Sequence, residues 1–197
     1  MSAAQRKITA ADILSDTAYN ARRSELRAAS IAEKKNRRIE VGPYATLYFE
    51  NYNSMWLQVQ EMLRIEKGGT GQIEGELEAY NPLIPQGDEL IATFMIEIED
   101  ADRRDRELRK LGHVEDSVFL DIGKERIKGA PTDYEDRTTP EGKTSSVHWL
   151  RFKFTPAQIE AFRSGADPVV IGMAHANYGH MAVLSPTVRE ALAKDFA

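Results

Sequence analysis

Imidazole is the side chain best suited to metal ligation and proton transfer near neutral pH, and three of the four in this chain, His148, His175 and His180, lie towards its C-terminus. Each falls within an alternating apolar stretch. In an extended chain alternate side chains share a face. VHWLRFKF therefore turns His148 the same way as Leu150, Phe152 and Phe154, and PVVIGMAH turns His175 with Val169, Ile171 and Met173. His180 is an even number of residues from Leu184. With Ala176 to Gly179 as a four-residue hairpin loop, His175 and His180 become cross-strand neighbours on one face. Such a pair, with His148 or a carboxylate such as Glu50 completing the shell, is a donor set for a divalent metal such as zinc or non-haem iron that leaves positions open for chemistry. The competing reading keeps all three rings neutral at the edge of a core, hydrogen-bonded to a carbonyl, to Tyr178 or to Asn177.

Two strand-to-helix units in tandem must position these rings. After VHWLRFKF, Thr155 stands as a hydroxyl cap, Pro156 as the first helical residue and Gln158 as the reciprocal capping side chain. Phe154 and Ile159 can close as a staple over the cap, and Gly165 suits a left-handed end. Leu184, Ser185 and Pro186 repeat the device after the second apolar stretch, without a capping box, because the third helical residue there is Val188.

Composition bounds the class. A chain of 197 residues, 42% hydrophobic and 29% charged, can bury a sizeable core. It has no cysteine, which excludes thiol nucleophiles, disulfides and cysteine-ligated zinc. No apolar run approaches membrane-spanning length, and the first residues lack the apolar core of a secretion signal, so a cytoplasmic setting is expected. The net charge of -5 is uneven: residues 1–40 carry nine Lys and Arg against five Asp and Glu, with Lys34, Lys35, Arg37 and Arg38 clustered. Without interleaved aromatics that cluster reads as a solvated helix end rather than a nucleic-acid surface.

Upstream, Thr9 and Asp12 suit a short capped turn, and Asp16 opens a longer helix to about Arg37 whose thin apolar stripe, Tyr19, Leu26 and Ile31, suits peripheral packing or packing against a partner or a second copy of the chain. RIEVGPYATLYFEN reads as one strand at Ala45, Leu47 and Phe49. Asn53 or Ser54 starts a helix to Glu66, GGTG ends it, and another runs from Gln72 to Tyr80. LIATFMIEIE is a strand, Asp100 caps a charged helix ending at Gly112, His113 is a helix-end or solvated residue, and SVFLDI with ERIK forms a hairpin. Residues 129–145 are polar and turn-rich. GKT at 142–144 lacks the glycine of a phosphate-binding loop, since Arg137 stands in its place. Glu74, Glu76 and Glu78 form a solvated acidic face. No nucleophile elbow, H-E-x-x-H or G-x-G-x-x-G is present.

GPYATLYFEN at 42–51, QVQEMLRIE at 58–66, ELEAYNPLIP at 76–85, VHWLRF at 147–152 and HANY at 175–178 resemble a bacterial family known only as domain of unknown function 3501. The resemblance carries no catalytic or binding residues, and it implies a redox or peroxide-stress setting. The expected architecture is α+β: one mostly antiparallel sheet of six or seven strands over residues 39–197 with helices packed on one face, and a helical N-terminal extension over residues 1–38. Two functions stand open. The first is a non-enzymatic cytoplasmic accessory or binding protein. The second is a metal-binding protein or metalloenzyme using His148, His175 and His180.

Overall fold

The computed structural model describes residues 6–132 and 136–197, so the start of the chain and part of the turn-rich segment lie outside the described residues. A 3-10 turn at Ala10–Asp12, boxed by Thr9 and Asp12, precedes α1 (Asp16–Lys34), which Ser15 caps. Then follow β1 (Arg38–Val41), β2 (Ala45–Phe49), α2 (Tyr52–Glu66, capped by Asn51) and α3 (Ile73–Tyr80). Next come β3 (Glu89–Ile96), α4 (Ala101–Leu108, capped by Asp100), β4 (Val118–Ile122) and β5 (Glu125–Pro131). Last are β6 (Val147–Lys153), α5 (Pro156–Ser164), β7 (Val169–His175), β8 (Tyr178–Val183) and α6 (Pro186–Ala193). Thr155 and Gln158 make the reciprocal cap their spacing predicts, and Gly165 ends α5 at φ 74°.

The sheet has eight antiparallel strands in the order β1-β2-β3-β6-β5-β4-β7-β8, against an expectation of six or seven. The extra strand is β1. RIEVGPYATLYFEN is a hairpin folded at Gly42, whose φ of 74° admits the turn, rather than one strand. The sheet curls into a nearly closed barrel. Its inward residues, among them Leu47, Phe94, Leu120, Leu150, Phe152 and Ile171, are fully or almost fully buried and belong to one core cluster. Curling follows from apolar residues confined to one side of most strands: a flat sheet would leave that side half in water.

Closure is made by a side chain rather than a ladder. Among the described residues no backbone pairing joins β1 to β8. Instead the Tyr178 hydroxyl donates to Val41 O at 2.7 Å and accepts from Ala45 N at 3.1 Å and Tyr44 N at 3.3 Å. All three groups lie where the β1–β2 turn closes, so one buried phenol both bridges the turn and fastens β8 to it.

Helices close the ends and cover one side, rather than lining a single face. At one end Phe154, Phe162 and Phe196 meet edge to face, with centroids 4.8 to 5.9 Å apart, where α5 and α6 plug the barrel. At the other, Leu108, Leu111 and Val114 enter the core from α4 and the turn after it. A second cluster lies outside the barrel, where Ile91 and Trp149 on the outer face of β3 and β6 meet α2, α1 and the N-terminal segment through Tyr52, Trp56, Val59, Tyr19 and Ile8. The Tyr19 ring stands edge-on to Trp56 at 6.4 Å.

The contact of α1 with α2 is completed by Glu61, which takes Arg23 Nε at 2.7 Å and Nη2 at 2.8 Å and the Tyr19 hydroxyl. The Arg23 hydrogen bonds, before all else, hold its carboxyl down at about 2, against an ordinary 4.5. A depressed acid contributes stability that is complete above the unfolded value and lost as pH falls through the folded one. Glu61→Gln is therefore expected to cost about 1 to 2 kcal/mol at neutral pH and to remove the part of the acid limb between about pH 4.5 and 2, read by urea titrations across that range. Tyr178→Phe, which removes these three hydrogen bonds, is expected to cost about 1 to 3 kcal/mol in the same assay; an unchanged midpoint would show the seam to be held otherwise.

Candidate functional sites at the barrel mouth and the open seam

The mouth of the barrel is built where α4 gives way to β4. The chain leaves α4 through Gly112 and His113, a non-glycine residue at φ 57°, and a 3-10 turn at Val114–Ser117 follows. Val114 is fully buried, and its insertion carries Glu115 inward, where only 6% of the residue is exposed. Thr138 Oγ1 accepts from His113 N at 2.9 Å, and Thr138 N donates to Asp136 Oδ1 at 2.9 Å, so one threonine places Asp136 beside His113. A side chain at Gly112 would meet Gly142 O at 2.9 Å, so the two loops touch backbone to backbone. Residues 129–145 are thus organised where described: β5 takes Gly129 to Pro131, and Thr138 bridges Thr144.

His148 lies beneath this loop, 1% exposed, its ring stacked on Phe94 at 5.5 Å. Its Nε2 is 2.9 Å from Ser145 O and 3.2 Å from Thr144 Oγ1. A carbonyl only accepts, so Nε2 carries the hydrogen. Nδ1 then faces Glu115 Oε2 at 3.6 Å, and that carboxylate oxygen has no hydrogen-bond partner among the described residues. A buried carboxylate so placed calls for positive charge beside it, an imidazolium proton or a cation. Above the pair, His113 Nδ1 is 3.9 Å from Asp136 Oδ1, and one ligand atom each from His113, Glu115 and Asp136 lies within 4.8 Å of the others.

Pleat counting put His148, His175 and His180 on the inward face, and they lie on it, but they do not converge. The β7–β8 turn has two residues, Ala176 and Asn177, rather than four, so His175 pairs with Tyr178 and His180 with Met173. His175 is half-buried at the mouth, with Nε2 3.2 Å from Gly112 O and Nδ1 accepting from Asn177 N at 3.2 Å, which satisfies both nitrogens of a neutral ring. His180 is exposed at the seam, against the Tyr178 ring at 4.5 Å and over Gly42. Glu50 accepts from Ser54 Oγ and Thr93 Oγ1, both at 2.6 Å, between α2 and β3. Sequence reading took His113 as a helix-end or solvated residue and singled out neither Glu115 nor Asp136. Their one shared signal was a His-x-Glu pair just past a helix end, and nothing in spacing links it to residue 136.

The open seam is the second candidate. Near Gly42 the edges are close, and a Cβ there would meet His180 Cγ at 2.6 Å and the Tyr178 hydroxyl at 2.7 Å. Beyond His180 they part around a groove of about 690 Å³ lined by Ile31, Lys34, Lys35, Arg38, Val183 and Val188. Phe49 N donates to Arg37 O and Leu184 N to Val169 O. By the alternation of an antiparallel ladder, the backbone groups of Arg38 and Glu40 on one edge, and Met181 and Val183 on the other, face the gap. Arg37, counted with the basic cluster from sequence, is instead buried: it donates to Phe49 O at 3.0 Å, Glu50 O at 3.1 Å and Ala191 O at 3.2 Å, and pairs with Asp195. Burial pushes the Asp195 carboxyl up, and Arg37 opposes the shift.

Among the described residues no helix is long and apolar enough to cross a membrane. No curated protein matches the chain. A crystal structure at 1.90 Å of a novel protein of unknown function from Burkholderia pseudomallei K96243 is similar, with 35% identity and a TM-score of 0.89 over 97% of this chain and 100% of that one. The family model described as protein of unknown function DUF3501 matches residues 7–196. An α+β barrel that closes on a tyrosine, with a match across nearly its whole length, thus places this chain in the DUF3501 family.

Proposed function

We propose that this chain is a non-enzymatic cytoplasmic accessory protein that binds an acidic, apolar-tipped segment of a partner protein in the groove between β1 and β8. The carrying observation is the coincidence at one place of open strand edges, exposed apolar side chains and positive charge. Four large apolar side chains stand out as exposed among the described residues, and three of them, Ile31 at 57%, Met181 at 68% and Val183 at 65%, belong to α1 and β8 at this seam. Exposed apolar surface rimmed by charge marks an interaction site more often than chance exposure does. Lys34, Lys35 and Arg38 make the rim basic on a chain whose net charge is -5, so long-range attraction selects an acidic partner. Unpaired backbone groups on both edges offer hydrogen bonds to an extended segment laid between them. The family resemblance directs the search for that partner to redox and peroxide-stress proteins.

Co-purification from the encoding bacterium tests the reading. The wild-type chain is expected to retain a stoichiometric acidic protein at about 50 mM salt and to release it near 1 M, where screening acts within about 3 Å. Lys35→Glu and Val183→Asp, both at exposed positions, are each expected to reduce retention about tenfold with unchanged thermal midpoints. Retention indifferent to salt and to both substitutions would reject the groove, and a dimer in light scattering that both variants dissolve would replace the partner with a second copy.

A further inference from the structure

We infer that the barrel mouth is a site for one divalent first-row metal ion, held by a ring nitrogen of His113 and by the carboxylates of Glu115 and Asp136. This site is independent of the seam. Three ligand atoms gathered within 4.8 Å would by themselves describe many exposed polar clusters. Glu115 separates this one from them. Only 6% of Glu115 is exposed, and its Oε2, 3.6 Å from His148 Nδ1, has no hydrogen-bond partner among the described residues, where a buried polar atom ordinarily has at least one. A cation at the mouth would supply the missing charge.

The three donors are unequal in a way that suits capture of an ion. Glu115 is anchored, because Val114 before it is fully buried in the barrel core. His113 and Asp136 are exposed, with 59% and 67% of their side chains in contact with solvent, so their side chains can turn. Ligands bound at about 2.0 to 2.2 Å stand about 3 to 4 Å apart. The observed separations therefore need only side-chain rotation by the two outer members. The backbone is already committed: His113 is held in the left-handed region, a conformation unfavourable for a side-chain-bearing residue, by Thr138, the residue that also fixes Asp136.

Behind Glu115, His148 acts as a positioning residue. Its Nε2 hydrogen is anchored on Ser145 O and its Nδ1 faces the carboxylate, an arrangement that orients a ligating group from the second layer. One imidazole and two carboxylates, without sulfur, suit Zn²⁺, Mn²⁺ or Fe²⁺ and disfavour Cu⁺. Three protein ligands leave at least one position for water or a further ligand.

Untagged protein stripped with chelator, then titrated calorimetrically with Zn²⁺ and with Mn²⁺ alone, tests the site. One equivalent of at least one ion is expected to bind and to raise the thermal midpoint. His113→Ala and Asp136→Asn, at exposed positions that leave the core intact, are each expected to weaken binding by about tenfold or more and to abolish the midpoint shift. His180→Ala, away from the mouth, is expected to change neither. Failure of both ions to bind at millimolar concentration, or binding that survives both mouth substitutions, would overturn the assignment; loss in His180→Ala alone would move the metal to the seam and overturn it equally.

Discussion

A single phenol makes the hydrogen bonds that join the two edges of this sheet. Eight strands whose apolar residues point one way will curl, yet curling alone leaves two free edges. The Tyr178 hydroxyl supplies the link by entering the β1–β2 turn, where it donates to Val41 O and accepts from Ala45 N. Its ring packs against Tyr44 at 4.8 Å, while Tyr44 O accepts from Glu97 N at 2.7 Å, so the linked corner is tied on to the end of β3. Because the fastening is a point and not a ladder, the edges are free to part beyond it. The groove is the geometric consequence of closing a barrel with one side chain.

The same closure gives the two ends of the barrel different characters. Where α5 and α6 enter, three phenylalanine rings meet and the plug is apolar. Where α4 ends, the plug is a loop, and a loop brings polar groups with it. Leu108, Leu111 and Val114 fill the space against the core, while Glu115 and His148 occupy the layer between that core and solvent. Ionisable side chains held in this layer are costly without a partner of opposite sign. The mouth is therefore the place in the molecule where a bound cation would relieve an existing electrostatic demand rather than create one.

Buried charge elsewhere is answered by close, directly bonded partners. Arg37 has three carbonyls and Asp195 around its guanidinium and binds the end of α1 to β2 and to the tail after α6. Glu89, fully buried, faces Lys153 at 3.2 Å and Arg151 at 3.4 Å. Glu50 has two hydroxyl donors. Each of these contacts joins separate elements, Glu89 tying β3 to β6 and Glu50 tying α2 to β3, so these groups stitch the fold together.

What sequence alone determined is local. Thr155, Pro156, Gln158 and Gly165 define α5 because caps act within one turn of chain, and alternation in VHWLRFKF turned His148 inward because pleat parity is a property of the strand itself. The family could likewise be read from short strings of residues. Strand count fell short by one or two, since the turn at Gly42 and Pro43 was read through as part of one strand, and the β7–β8 turn closed in two residues where four were expected. Tertiary structure alone decided which ionisable groups share a site. His113 and Glu115 meet Asp136 because Thr138 folds a distant loop back on to the end of α4, and the edges of β1 and β8 meet at Tyr178 without pairing along their length. Contacts between residues remote in sequence depend on the path of the whole chain, and no local period records that path.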